Sequence, residues 1–288
     1  MQLTTPVETI LSPLRIDHST PLLLLGSCFS DEVGTRLKQA GFNVLCNPFG
    51  TLYNPLSIAL ALRHAVEDCE IGSEWLVHAD GLWHSWMHHS RFSHPEQDTC
   101  IARCNQSIHQ THQFLNQQSV LIVTFGTACS FFLHTDSVAP PMQGQVVANC
   151  HKLPAAMFTR RRITLEEIAA AWQPFTTLHP VVFTVSPIRH MADGTHGNQL
   201  SKSTLLLSVE QLLNFCPDWH YFNSYEILMD ELRDYRFYAR DMCHPSDLAV
   251  DIVWQRFQDT YMSPQTQSRC RQEEKAARQA LHRPILQQ

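Results

Sequence analysis

The sequence predicts an α/β fold built on a parallel sheet of about five strands, and three observations predict it. Short apolar runs bounded by Gly, Pro or Asn recur along the chain at 22–26, 42–46, 120–125, 181–185 and, more weakly, 221–227. Stretches of amphipathic helical spacing follow several of them, at 31–40, 55–66, 201–215 and 247–257. The runs are continuous rather than alternating, the pattern of strands buried on both faces of a helix-covered parallel sheet.

Taken in order, Leu22 to Leu25 is a four-leucine run ending at Gly26, and Val33, Leu37 and Ala40 give the following helix its apolar stripe. The second run closes at Asn47-Pro48-Phe49-Gly50 and leads to a helix beginning at Pro55. The third closes at Gly126 and the fourth at Ser186-Pro187. Ser201 reads as the N-cap of the helix after the fourth strand, with Asn198 and Lys202 beside it. Strand ends of a doubly wound sheet are where ligands gather, so Gly26, Gly50, Gly126 and Ser186 mark the expected site.

The 288 residues, 44% of them hydrophobic, suffice for one enlarged domain, 1–288. Residues 67–118 are expected to form a cap-like insertion between strands two and three, with the Trp- and His-rich stretch 75–95 covering one side of the site. Trp75, Trp83 and Trp86 there suit either a small core or a sugar-stacking face. Residues 264–288 read as a peripheral helical tail.

A net charge of -6 argues against a nucleic-acid partner, and the short run Arg160-Arg161-Arg162 reads as a solvated approach to the next helix. The amino terminus lacks the charged start and apolar stretch of a signal peptide, and no run is long enough to span a membrane, so a soluble, cytoplasmic protein with reduced thiols is expected. His84 and His88 have i, i+4 spacing, but no HExxH or paired CxxC accompanies them, and no metal or other cofactor is expected.

Chemistry is concentrated in two segments. Ser27 and Cys28 follow a strand at the start of a helix, where free backbone N–H groups and the helix dipole favour a developing negative charge and should lower a thiol's pKa. Far along the chain, Asp241-Met242-Cys243-His244 sets an acid three residues before a histidine, so that one short segment carries a base and the group that orients its ring.

Gly26-Ser27-Cys28-Phe29-Ser30 resembles the signature of the GSCFA-domain proteins, a largely bacterial family placed in the SGNH/GDSL hydrolase superfamily. The segments 47–55, 147–152 and 185–190 look like further blocks of that family. The resemblance implies a three-layer flavodoxin-like fold, no metal, and a nucleophile-His-Asp system that deacylates a carbohydrate or related small ester. It implies His244 as base, Asp241 as its orienter and the Gly50 N–H as an oxyanion donor. Counting from Gly26, Cys28 rather than Ser27 falls in register with the superfamily's nucleophilic serine. Gly126-Thr127-Ala128 lacks the asparagine of the third block, leaving Asn149 or Asn54 to supply that hydrogen bond. His151, Lys152, Arg189, His190 and Gly126 are expected to face substrate. An acyltransferase on the same scaffold, and a carbohydrate- or lipid-binding module without chemistry, are the alternative readings.

Overall fold

The computed structural model describes residues 5–8, 11–134, 136, 138, 141–178 and 180–281. In chain order the elements are β1 (Leu22–Gly26), α1 (Cys28–Gln39), β2 (Val44–Cys46), α2 (Pro55–Glu67), β3 (Leu76–Ala79), β4 (Leu82–Ser85), α3 (Gln97–Leu115), β5 (Val120–Phe125), β6 (Cys129–Leu133), β7 (Val146–Val147), β8 (Phe158–Arg162), α4 (Leu165–Trp172), β9 (Val181–Val185), α5 (Gly194–Leu213), β10 (Trp219–Phe222), the short α6 (Ser224–Glu226), α7 (Asp247–Tyr261) and α8 (Pro264–Leu281).

Five strands form one parallel sheet in the order β10-β9-β5-β1-β2. Numbering only these strands, the order is 2-1-3-4-5, that of a flavodoxin-like doubly wound sheet. The leucine run explains the layers. Leu23 and Leu25 enter a core with α2, α3, α4 and α5, while Leu22 and Leu24 enter a second core with α1 and α7. Successive side chains of a strand point to opposite faces, so four leucines serve both layers at once.

The start of α1 moves from the expected 31 to Cys28, because Ser27 has the extended backbone of an N-cap (φ -71°, ψ 173°) although its hydroxyl makes no capping bond. Asn54 does cap α2, accepting from the Ser57 N–H, with Pro55 at the first position. The second strand shortens to Val44–Cys46, and the fifth is Trp219–Phe222, after which the chain turns into α6.

Two departures bear on the site. Ser201 lies inside α5, which starts at Gly194, so it is no N-cap; its hydroxyl accepts from the Ala128 N–H at 2.8 Å. Arg160–Arg162 lie in β8, the edge of a three-stranded antiparallel sheet ordered β7-β6-β8; they are exposed and lead to the Thr164 cap of α4, so the solvated approach to that helix is itself a strand. Within 67–118, only β3 and β4 form a hairpin outside the main sheet; α3 packs into the first core through Cys100, Cys104 and Ile108. Trp86 is buried in a small third core with Leu133, Met142 and Val147. In the 264–288 tail, α8 docks through buried Cys270, and Trp254 Nε1 donates to Glu274 Oε1 at 3.0 Å. Residues 282–288 of that tail lie outside the described residues.

Candidate active site

At the carboxyl ends of β1, β5 and β9 lies a cleft of about 530 Å³, its far wall formed by the β6–β8 sheet. Cys28 and His244 both line it. Ser27 does not: it is 1% exposed, and its hydroxyl is buried without a hydrogen-bond partner among the described residues. Gly26 causes this split. At φ +145° it lets β1 pass so close to β5 that a Cβ there would sit 2.3 Å from the Thr124 carbonyl oxygen. The next residue is then pressed against Gly126, and the one after turns outward into the cleft.

Cys28 Sγ lies 3.9 Å from His244 Nε2, and His244 Nδ1 lies 2.5 Å from Asp241 Oδ2. With the Nδ1 proton donated to the carboxylate, Nε2 is left as the acceptor facing the thiol. The other carboxylate oxygen of Asp241 accepts from the Cys243 and His244 N–H groups, each at 2.9 Å. These two backbone bonds, more than the imidazole, hold the carboxyl down at about 2. The loop is fastened to the end of β9 by the Arg189 N–H, which donates to the Cys243 carbonyl at 3.2 Å.

The Cys28 thiol is not lowered as its place at a helix start suggested. Burial raises its pKa first and the nearby Asp31 carboxylate adds to this, outweighing the N–H groups of Cys28 and Phe29 that pull the other way. The resting sulfur is therefore a thiol that needs a base, rather than a standing thiolate.

The expected oxyanion groups fare differently. The Gly50 N–H is committed to the Asn47 carbonyl at 2.8 Å, and Gly50 does not line the cleft, so it is not an available donor. Its φ of +82° and a Cβ that would meet His89 at 2.1 Å show a glycine kept for the turn. Asn149 lines the cleft; its Oδ1 accepts from the His151 N–H at 2.8 Å, and its Nδ2 has no partner among the described residues. Asn54 also lines the cleft, but its carboxamide is occupied in capping α2.

Arg189 and His190 line the cleft, whereas Gly126, His151 and Lys152 do not. Gly126 packs against Ser27 and the Tyr53 carbonyl. His151 is buried with Nε2 on the Ser85 carbonyl at 2.8 Å and stacks on His84 at 4.6 Å. Lys152 is exposed outside the cleft. No residue of 67–118 lines the cleft, the three tryptophans Trp75, Trp83 and Trp86 included.

Sequence reasoning missed Lys202 as a support of the site. It is 1% exposed within α5, and its ammonium donates to the Gly126 and Ser186 carbonyls at 2.7 and 2.6 Å, tying the ends of β5 and β9 together. Burial brings its pKa down to about 7. A lysine on the inward face of a mainly apolar helical pattern was the available signal. Arg160 and Asp193 were also missed: both line the cleft and are joined in a two-pronged ion pair of 2.5 and 2.6 Å.

Among the described residues no group of three or more His, Cys, Asp or Glu is arranged to hold a metal ion, and none of the described cysteines is bridged. His84 sits on β4 and bonds Ser93 and the Ala79 carbonyl, while His88 bonds Ser85 and Ser107, so their spacing serves local packing. No described helix is long and apolar enough to cross a membrane.

A three-layer flavodoxin-like sheet with a Cys-His-Asp arrangement at its strand ends defines the class of protein. More particularly, residues 21–257 match the GSCFA family, and the chain belongs to it. No curated protein matches the chain.

Proposed function

We propose that the protein is an SGNH-type hydrolase of carboxylic esters, with Cys28 as nucleophile, His244 as general base and acid, and Asp241 fixing the histidine's tautomer. The observation that carries this reading is the chain of contacts from Cys28 through His244 to Asp241 at the edge of the cleft. Family membership agrees with it.

In the first half-reaction His244 Nε2 takes the Cys28 proton as sulfur attacks the acyl carbonyl carbon. The tetrahedral oxyanion forms beside the Cys28 N–H and the free side of the Asn149 carboxamide, which replace the donor missing at Ala128. Collapse breaks the bond to the alcohol, which leaves with the proton from His244, and a Cys28 thioester remains. Water then gives its proton to His244 and attacks that thioester, releasing the carboxylic acid and restoring the thiol. The 3.9 Å separation of Sγ and Nε2 is suited to a contact that tightens when substrate fills the cleft.

Intact-mass spectrometry after exposure to an activated acetyl ester tests the reading. Wild type should acquire one acetyl group, Cys28→Ala should acquire none, and His244→Ala should acylate far more slowly. An adduct that survives Cys28→Ala but disappears in Ser27→Ala would transfer the role to Ser27. No adduct and no turnover in wild type would overturn the hydrolase and leave a binding module.

A further inference from the structure

Charge in the cleft is unbalanced, and the imbalance sits on one residue. Arg160 and Asp193 neutralise each other through two short hydrogen bonds. Arg189 lines the same cleft and has no carboxylate partner among the described residues. Its guanidinium lies 5.7 Å from the centre of the Tyr238 ring, a contact that leaves its charge uncancelled. A half-buried guanidinium has lost part of its water, and its remaining N–H groups form a planar fork that matches a carboxylate or phosphate. This is an unmatched cation in a chain whose net charge is -6.

Beside the sulfur the charge is of the opposite sign. The Asp31 carboxylate adds to burial in raising the Cys28 pKa, so a negative group is disfavoured there. The Arg189 backbone is meanwhile bonded to Cys243, the neighbour of His244, so the guanidinium-bearing residue is fixed to the loop that supplies the base. A ligand with a neutral carbonyl at one end and an anion at the other fits both fields in one orientation.

Building on the hydrolase reading above, we infer that the substrate is an ester carrying an anionic group, a carboxylate or phosphate, which Arg189 binds while the ester carbonyl lies against Cys28. Asp193, committed to Arg160, does not repel it. Arg189 is a specificity residue in this scheme; the bond-making steps stay with Cys28 and His244.

The test reads occupancy of the cleft and needs no turnover. Cys28 is alkylated with iodoacetamide, followed by peptide mass mapping, with monomethyl succinate or the neutral dimethyl succinate as protectant. Wild type should be half-protected by the monoanion at a concentration on the order of ten-fold lower than by the diester, since a charge-assisted fork is worth roughly that factor at a partly exposed site. The preference should vanish in Arg189→Met, survive in part in Arg189→Lys, and shrink with added salt. Using each variant's own ratio of the two protectants removes any general change in thiol reactivity, and a melting curve checks folding. Inorganic phosphate as a third protectant separates a general oxyanion site, where it competes, from one that takes only carboxylates, where it does not. Equal protection by the two succinates in wild type, or a preference that persists in Arg189→Met, would overturn the inference. A preference without any acetyl-enzyme would leave the anion site standing and remove the hydrolase; an acetyl-enzyme without a preference would do the reverse.

Discussion

The corner after β1 and the loop 241–244 supply the two halves of the candidate site, and they are built in opposite ways. The corner is core: Leu22 to Leu25 are at most 1% exposed, the Gly26 N–H donates to Asn47 Oδ1 at 2.9 Å, its carbonyl accepts from Leu52, and the Ser27 N–H donates to Thr124. The histidine loop is surface. The Asp241 and His244 side chains are each about half exposed, and the loop keeps its shape through its own bonds, Asp241 to two following N–H groups and the Ala239 N–H to the His244 carbonyl. Cys28 is thus placed by sheet register and His244 by local hydrogen bonds. Under the proposed roles, a fixed sulfur and an imidazole that adjusts by a fraction of an ångström would close the 3.9 Å resting contact.

The largest expected effect breaks the comparison on the loop side. Replacing His244 by Ala removes the imidazole in contact with the thiol and should slow acylation of Cys28 by about 100- to 10,000-fold. Thermal stability should hardly change, because the side chain is exposed. Single-turnover acylation and a melting curve on the same sample check both halves; a loss of stability as large as a core mutation's would refute the view of the loop as an add-on.

The corner should answer in the reverse order. In Gly26→Ala the new Cβ meets backbone, not a movable side chain, 2.3 Å from the Thr124 oxygen, and φ +145° is strained for any L-residue. A cost of about 3 kcal/mol or more is expected, read as a lower denaturation midpoint. If the variant melts like wild type, the tight crossing of β1 and β5 does not set the position of Cys28.

How far this arrangement was legible in the sequence follows from the same contrast. Strands β1, β5 and β9 are apolar runs, interrupted only by Thr124 and Thr184, and are closed by Gly, Gly and Ser-Pro, so the sheet and the cleft's strand ends could be read directly. Asp241 and His244 could be found because both members lie within four residues. The far wall could not: β6 reads Cys-Ser-Phe-Phe-Leu without alternation and β8 is Phe-Thr-Arg-Arg-Arg, and neither carries a period that marks a strand. Gly50 misled because its sequence position says nothing of where its N–H goes; the Asn47 carbonyl takes it. Lys202 and the Arg160–Asp193 pair depend on contacts between distant segments, which local pattern does not encode.

Acid should separate the buried interior from the exposed loop. Burial pushes His88 down to about 3 and His151 to about 4, with the His88 ring 5.5 Å from Phe49 and His151 bonded to the Ser85 carbonyl. A histidine held neutral in the fold binds its proton in the unfolded chain first, so stability is complete above the ordinary value of 6.5 and declines as pH falls toward 4. Asp241, at about 2, keeps its charge throughout that window. The melting temperature should therefore fall from pH 6.5 to 4 with a slope that His88→Gln reduces. A slope unchanged by that substitution would assign the acid sensitivity elsewhere.

The smallest expected effect is the sharpest test within the corner, because Ser27 and Cys28 are adjacent and only their surroundings differ. The Ser27 hydroxyl is buried with no hydrogen-bond partner among the described residues, so it is desolvated without return and does not reach the cleft. Removing a buried hydroxyl that bonds nothing forfeits no interaction and relieves a desolvation cost, so Ser27→Ala should leave stability within about 1 kcal/mol of wild type or slightly above it. Acylation should stay within about three-fold, a difference of well under 1 kcal/mol in the barrier. Cys28→Ala, one residue on, should abolish it. Near-neutrality at Ser27 beside total loss at Cys28 would show that the strained crossing at Gly26 assigns the chemistry to the second of two adjacent candidate nucleophiles; a large loss at Ser27 would mean that the corner opens in solution far enough to expose it.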